Sequence, residues 1–336
     1  MSFRRAVWRG GVVVAVIMVL AGAPSVLGIA PDRRGPCIVE EMSMELEDST
    51  RGRGMSLLVF HPALQGAETL RSVQTPSPLI VFNHGFLLRA EVYRSYGEHL
   101  ASHGFVVAMP TFPMTFFNVH HGELALDVRF VVDTLLAQDG DASSALFGCI
   151  DETRIGLSGH SLGGKLSLLE AVSDDRIRSI GVLDPVDTGN PLFENPRRYP
   201  SVAPELMPRI LVPLLIVGAE LGDRLVSFSP CAPADDNYQR FFEAAHPPAI
   251  EITQLDVGHG QYVDEGAETA TMACAVGDVS DDWVRSSSVA YLTAFFLETL
   301  LDDDAAAVWL EQRLDEDEQA ERIVVRRKDP GGLPGP

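Results

Sequence analysis

The chain has 336 residues, 46% of them hydrophobic and 22% charged, enough to bury one large mixed core or at most two domains. Its formal net charge of −21 would repel nucleic acid and anionic membrane surfaces, so neither is expected as a partner. No internal repeat is visible, and nothing in the chain specifies an oligomeric state.

At the start, Arg4, Arg5 and Arg9 precede an apolar run over residues 12–23 that ends in small residues and Pro24. This is the pattern of a signal peptide, expected to span residues 1–28 and to be removed, leaving an exported protein with no stable membrane span; an uncleaved anchor is the alternative, although Gly22, Pro24 and Gly28 interrupt the apolar run. An oxidising compartment would let Cys37, Cys149, Cys231 and Cys274 form disulfides. Cys231 and Cys274 flank one C-terminal region around residue 259 and are expected to pair, which leaves Cys37 with Cys149. No Cys/His cluster has zinc spacing, so no metal is expected, nor any other cofactor.

Residues 37–47 and 55–60 read as two strands joined by the turn-prone Asp48-Ser-Thr-Arg-Gly-Arg-Gly54, an antiparallel start to a sheet. The continuous apolar run Pro78-Leu-Ile-Val-Phe-Asn-His-Gly-Phe86 is what a strand covered on both faces requires, and Gly85 lets the chain turn sharply at its end. A helix over residues 92–102, a strand over 105–109, an aromatic loop and a helix over 123–136 follow. Such β-α-β alternation predicts an α/β protein with a mostly parallel, doubly wound sheet. His84 reads as a structural hydrogen-bonding residue. The neighbours His120 and His121 point in different directions and read as pocket rim or solvent-facing residues.

An apolar strand pattern over residues 154–158 then enters Gly159-His-Ser-Leu-Gly163 and continues directly into an apolar helix. A serine on such a strand-to-helix turn is a nucleophile elbow, the signature of an α/β-hydrolase fold. The turn lifts the Ser161 hydroxyl into the open. The Leu162 amide at the helix N-terminus and the Phe86 amide in the loop after the earlier strand are the expected oxyanion-hole donors.

The strand over 177–183 delivers Asp184 and Asp187, and the irregular stretch 188–209, with five prolines, is expected to form a pocket wall. A strand over 213–218 leads to Glu220 and Asp223. The last strand of the reading, 251–257, ends in Gly258-His259-Gly260. A serine needs a base that follows the acid in the chain order of this fold, and His259 fits best. Asp184 and Asp223 both stand at strand ends from which a carboxylate can reach its far nitrogen. Asp187, Glu220 and Asp264 are weaker candidates, expected to be solvated. Phe112, Phe116 and Phe117, with Leu192, Phe193 and Tyr199 in the insertion, are expected to wall a large apolar pocket. A helix over 289–300 closes a domain spanning residues 37–302. The remaining 303–336 read as an acidic amphipathic helix and, from Arg326, a disordered tail.

Several of these stretches together resemble chlorophyllases: Phe82-Asn-His-Gly-Phe-Leu-Leu88, Leu100-Ala-Ser-His-Gly-Phe-Val-Val-Ala108, Gly159-His-Ser-Leu-Gly-Gly-Lys165, Gly181-Val-Leu-Asp-Pro-Val-Asp187, Ser229-Pro-Cys-Ala-Pro233 and Val257-Gly-His259. The resemblance covers roughly residues 78–300. It implies an α/β-hydrolase that cleaves an ester such as the phytyl ester of chlorophyll, with Ser161, Asp184 and His259 as its triad. The chain departs from plant members at Leu162, where they carry Arg, and in its signal segment and Pro-rich insertion. The elbow is also similar to that of cutinase-like polyester hydrolases and lipases, a likeness that keeps Asp223 as the alternative acid. The expected activity is therefore serine carboxylic ester hydrolysis of a small or lipid-like hydrophobic substrate. A secreted polyester or lipid esterase, a peptidase or amide hydrolase, and a non-catalytic lipid- or pigment-binding protein are the alternatives.

Overall fold

The computed structural model describes residues 30–63, 76–189, 195–226, 228–265 and 273–330; the expected signal segment, Leu192 and Phe193 lie outside them. β1 (Ile38–Asp48) and β2 (Arg53–Ala63) form the expected hairpin, closed where Asp48 Oδ1 accepts the amides of Thr50 and Arg51. The chain continues through β3 (Ser77–Asn83), α1 (Arg94–Ser102), β4 (Val106–Thr111), α2 (His121–Asp139), β5 (Ile150–His160), α3 (Leu162–Ala171) and β6 (Ile177–Leu183). It ends with β7 (Leu214–Ala219), α4 (Tyr238–Ala244), β8 (Ala249–Gln254), α5 (Asp281–Leu301), α6 (Asp304–Gln319) and β9 (Ile323–Lys328). Among the described residues all nine strands join one sheet in the order β1-β2-β4-β3-β5-β6-β7-β8-β9. β3 to β8 run parallel, with antiparallel pairs at both edges.

The continuous apolar runs of the central strands follow from burial on both faces. In β3, Leu79 and Val81 enter a core shared with α2 and α3, while the alternate residues Ile80 and Phe82 enter a second core with α1 and α5. From β3 the chain crosses outward to β4, then returns through α2 to β5 on the other side of β3. The strand order reverses between β3 and β5, and a doubly wound sheet opens a crevice at the carboxyl ends of such a pair. The loop after β3 and the turn after β5 both emerge there.

Three expectations change. The stretch from Arg326 is not tail up to Lys328: Ile323–Lys328 adds a strand to β8, and the Arg326 guanidinium pairs with the buried Glu251 carboxylate. The domain extends with it, since Leu310 and Leu314 of α6 pack into the core of α1 and α5. The closing helix begins at Asp281 rather than residue 289 because Ser280 Oγ caps it by accepting the Trp283 amide. Cys231 and Cys274 are disulfide-bonded, but Cys37 and Cys149 are not. They precede β1 and β5, four strand positions apart and hence about 19 Å across the sheet, well beyond disulfide reach.

Candidate active site

β5 ends at His160, and Ser161 takes φ 57° and ψ −122° before α3 starts at Leu162. That left-handed backbone is costly for a non-glycine residue and holds only because its surroundings over-determine it. Close packing does so: a Cβ on Gly163 would stand 1.9 Å from the Asn83 carbonyl oxygen, so helix and strand approach only with glycine there. Leu162 is the first residue of α3, and its amide is one of the helix's unsatisfied donors. The Phe86 amide likewise has no acceptor among the described residues. Both residues line one cavity with Ser161.

The Ser161 hydroxyl lies 2.9 Å from His259 Nε2, and His259 Nδ1 lies 2.6 Å from Asp184 Oδ2. These distances set the tautomer: Nδ1–H donates to the carboxylate and Nε2 accepts from the serine. Asp184 is fully buried and His259 nearly so. The second Asp184 oxygen accepts the Ala219 amide at 3.2 Å. Asp223, the other candidate acid, is exposed in the turn after β7 and has no hydrogen bond or ion pair among the described residues.

A second hydrogen-bonded chain went unread in the sequence. The Gly85 amide donates to Tyr93 Oη at 3.3 Å, the Tyr93 hydroxyl donates to His160 Nδ1 at 2.7 Å, and His160 Nε2–H donates to the His259 carbonyl at 3.0 Å. It ties the loop carrying Phe86 to the backbone of His259. Burial, and behind it His259, holds the His160 imidazole well below its usual range, so the ring stays neutral. A histidine inside the Gly-X-Ser-X-Gly turn was the available signal. Tyr93 had none, because its partner is 67 residues away.

The cavity holds roughly 300 Å³. A family model described as Chlorophyllase matches residues 33–320. The chain belongs to the chlorophyllase family. Among curated relatives, Chlorophyllase-2 of Arabidopsis thaliana is 24% identical over 240 residues, covering 68% of this chain and 74% of that protein. Chlorophyllase-1 of the same plant is 25% identical over 59% of this chain, which spans 62% of its relative's length. The chloroplastic Chlorophyllase-1 of Citrus unshiu is 25% identical, covering 68% of this chain and 69% of that protein. Chlorophyllases are ester hydrolases, and a hydrogen-bonded serine, histidine and carboxylate in this family's fold is the constellation such chemistry uses.

The other sequence candidates fall elsewhere. His84 is the structural residue expected: its Nδ1–H donates to the Gly85 carbonyl, its Nε2 accepts the Phe112 amide, and burial pushes its pKa down to about 4. His120 caps α2 by accepting the Glu123 amide, whereas His121 lines the cavity. Glu220 accepts the Asp256 amide at the surface, and Asp264 caps α1 through the Ser95 amide. Asp187 is not solvated. It is buried, and paired at 3.0 Å with Lys165. Of the three loop phenylalanines only Phe116 borders the cavity: Phe112 sits in the core under His84, and Phe117 is 77% exposed. The Cys231–Cys274 disulfide forms part of the wall. By chain entropy, closing its 43-residue separation limits the unfolded state by about 4 kcal/mol.

Proposed function

We propose that this chlorophyllase-family protein is an exported serine carboxylic ester hydrolase acting on hydrophobic esters, chlorophyll-type phytyl esters among them. The unbroken line from Ser161 Oγ through His259 to Asp184 carries the reading. Ser161 attacks the ester carbonyl as His259 Nε2 takes its proton, and the Asp184 carboxylate stabilises the imidazolium that forms. The Phe86 and Leu162 amides donate hydrogen bonds to the oxyanion. The tetrahedral intermediate expels the alkoxide, which leaves as the alcohol with the proton from His259. Water, deprotonated by the same imidazole, then releases the acid and restores Ser161.

The hydrophobic preference rests on the cavity wall, where Phe86, Leu88, Phe116, Val119, Leu162 and Val186 dominate. The loops that supply this wall also expose Leu87, Phe117, Leu225, Val226, Phe228 and Val276. Each apolar contact discriminates by only about 1–3 kcal/mol, so such a site favours apolar esters without selecting one narrowly. Export is supported by the Cys231–Cys274 disulfide, which persists in an oxidising compartment.

The test is a panel of p-nitrophenyl butyrate to octanoate, a triglyceride, a polyester film and chlorophyll a. Hydrolysis of the short esters is expected, with Ser161→Ala slower by a factor on the order of 10⁴ and no longer labelled by a fluorophosphonate. Turnover of anilides but of none of these esters would overturn the reading.

A further inference from the structure

The cavity contains a polar side chain that the hydrolytic steps do not use. His121, the first residue of α2, lines the same cavity as Ser161 and is only 3% exposed. Its backbone is fixed where the His121 amide donates to the Arg198 carbonyl at 2.9 Å, and its ring stands edge-on to Tyr199 with centroids 5.0 Å apart. Nδ1 is sealed from solvent and has no hydrogen-bond partner among the described residues. Nε2 has none either, but it is not sealed in, and the ring borders the cavity. A phenylalanine would fill this place against Tyr199 without leaving polar atoms unpaired, at about 1–3 kcal/mol each.

We propose that His121 reads the substrate, donating a hydrogen bond from Nε2 to an uncharged oxygen that the ester carries in addition to its scissile group. This deepens the esterase reading and rests on it. A neutral imidazole has one N–H and one lone pair. A sealed N–H with no acceptor costs more than a sealed lone pair that faces cations, and Lys165, Arg198 and His120 are the charged or titratable groups acting on the ring. The proton therefore sits on Nε2, the unsealed nitrogen of a ring that lines the cavity. Burial first, then Lys165, His120 and Arg198, pushes the His121 pKa down to about 2. The ring stays neutral across the working range, with Lys165 itself paired to Asp187. Such a donor suits a ketone, ether or hydroxyl oxygen on an otherwise apolar molecule. It gives a carboxylate no counter-charge.

Matched esters test this: p-nitrophenyl and ethyl esters in which one methylene, stepped along the acyl or the alcohol chain, is replaced by a ketone or by a carboxylate-bearing carbon. For the best-placed ketone, kcat/KM is expected to be about tenfold above the plain ester, and the ratio to stay constant from pH 5 to 9. In His121→Phe that ratio falls below about twofold, and in His121→Gln, which keeps a donor, it is largely retained. No ketone preference in the wild type, an equal preference in His121→Phe, or a carboxylate preference that grows toward acid pH each overturn the proposal. Dissociation constants of the same esters on Ser161→Ala and Ser161→Ala/His121→Phe decide it without turnover. A ketone preference in binding with no hydrolysis by the wild type would uphold His121 and remove the esterase reading.

Discussion

Asp184 and Asp187 leave the end of β6 three residues apart, both buried, and take up different partners. Asp184 meets the imidazole of His259, which in the proposed mechanism gains and loses a proton next to Ser161. Asp187 meets the ammonium of Lys165, from the helix that begins at the elbow. Its carboxylate also accepts the Val202 and Ala203 amides and the Ser201 hydroxyl, gripping the proline-rich stretch that follows. One segment thus supplies a group placed for chemistry and a clamp on the proline-rich stretch, of which only Thr188 and Gly189 among the described residues line the cavity. The residue type is the same, so the partner alone sets the role.

The sharpest way to break that contrast is Asp184→Asn. Losing the acceptor for His259 Nδ1–H leaves the ring free to adopt the wrong tautomer, and ester turnover should fall by about 10⁴ with the fold retained. If Asp223→Asn is crippled while Asp184→Asn stays active, the assignment fails. Asp187→Asn should show the reverse pattern. It strands the Lys165 charge in the core, and breaking a buried pair costs about 3–5 kcal/mol of stability, measurable in urea unfolding, with turnover per folded molecule within about tenfold. A catalytic loss at Asp187 as large as that at Asp184 would erase the distinction.

Tyr93→Phe probes how firmly the chemistry is held in place. It removes the acceptor of the Gly85 amide and the donor to His160, leaving both unpaired at about 1–3 kcal/mol. A fall in kcat of about tenfold with little change in KM is expected if the chain to the His259 carbonyl positions that residue. Loss of stability with kcat intact would make it a packing device only.

Glu170 of α3 is a third buried carboxylate, and its partner Arg129 at 2.7 Å is itself a third exposed. Burial pushes its pKa up to about 7 against the pull of Arg129. A carboxyl whose folded pKa is raised contributes stability that is full below its ordinary value near 4.5 and is lost as pH rises through about 7. Glu170→Gln should therefore gain on the wild type over that window by about 1–3 kcal/mol, in unfolding midpoints taken at pH 4.5 and 8. A flat difference would mean that Arg129 compensates the charge fully.

The parallel strands, the elbow at Ser161 and the turn carrying His259 were legible in the sequence because each is a pattern within about ten residues: an apolar run, glycines at fixed spacing, a histidine at a strand end. The pair Cys231–Cys274 was legible from shared neighbourhood. Leu162 and Phe86 could be placed by their position at a helix start and in a loop. The rest depended on distance in the chain. Either of two carboxylates at strand ends had the reach for His259, and only the fold put Asp184 against it and Asp223 in solvent. Sheet order separated Cys37 from Cys149, and the β8 edge recruited residues 323–328 from what composition marked as tail. Burial of Asp187, the buried ring of His121 and the chain from Tyr93 to His259 are meetings of residues 14 to 99 positions apart. Local sequence specifies backbone shape and which faces are apolar; which polar groups lose water, and against which partners, is decided only when the layers close.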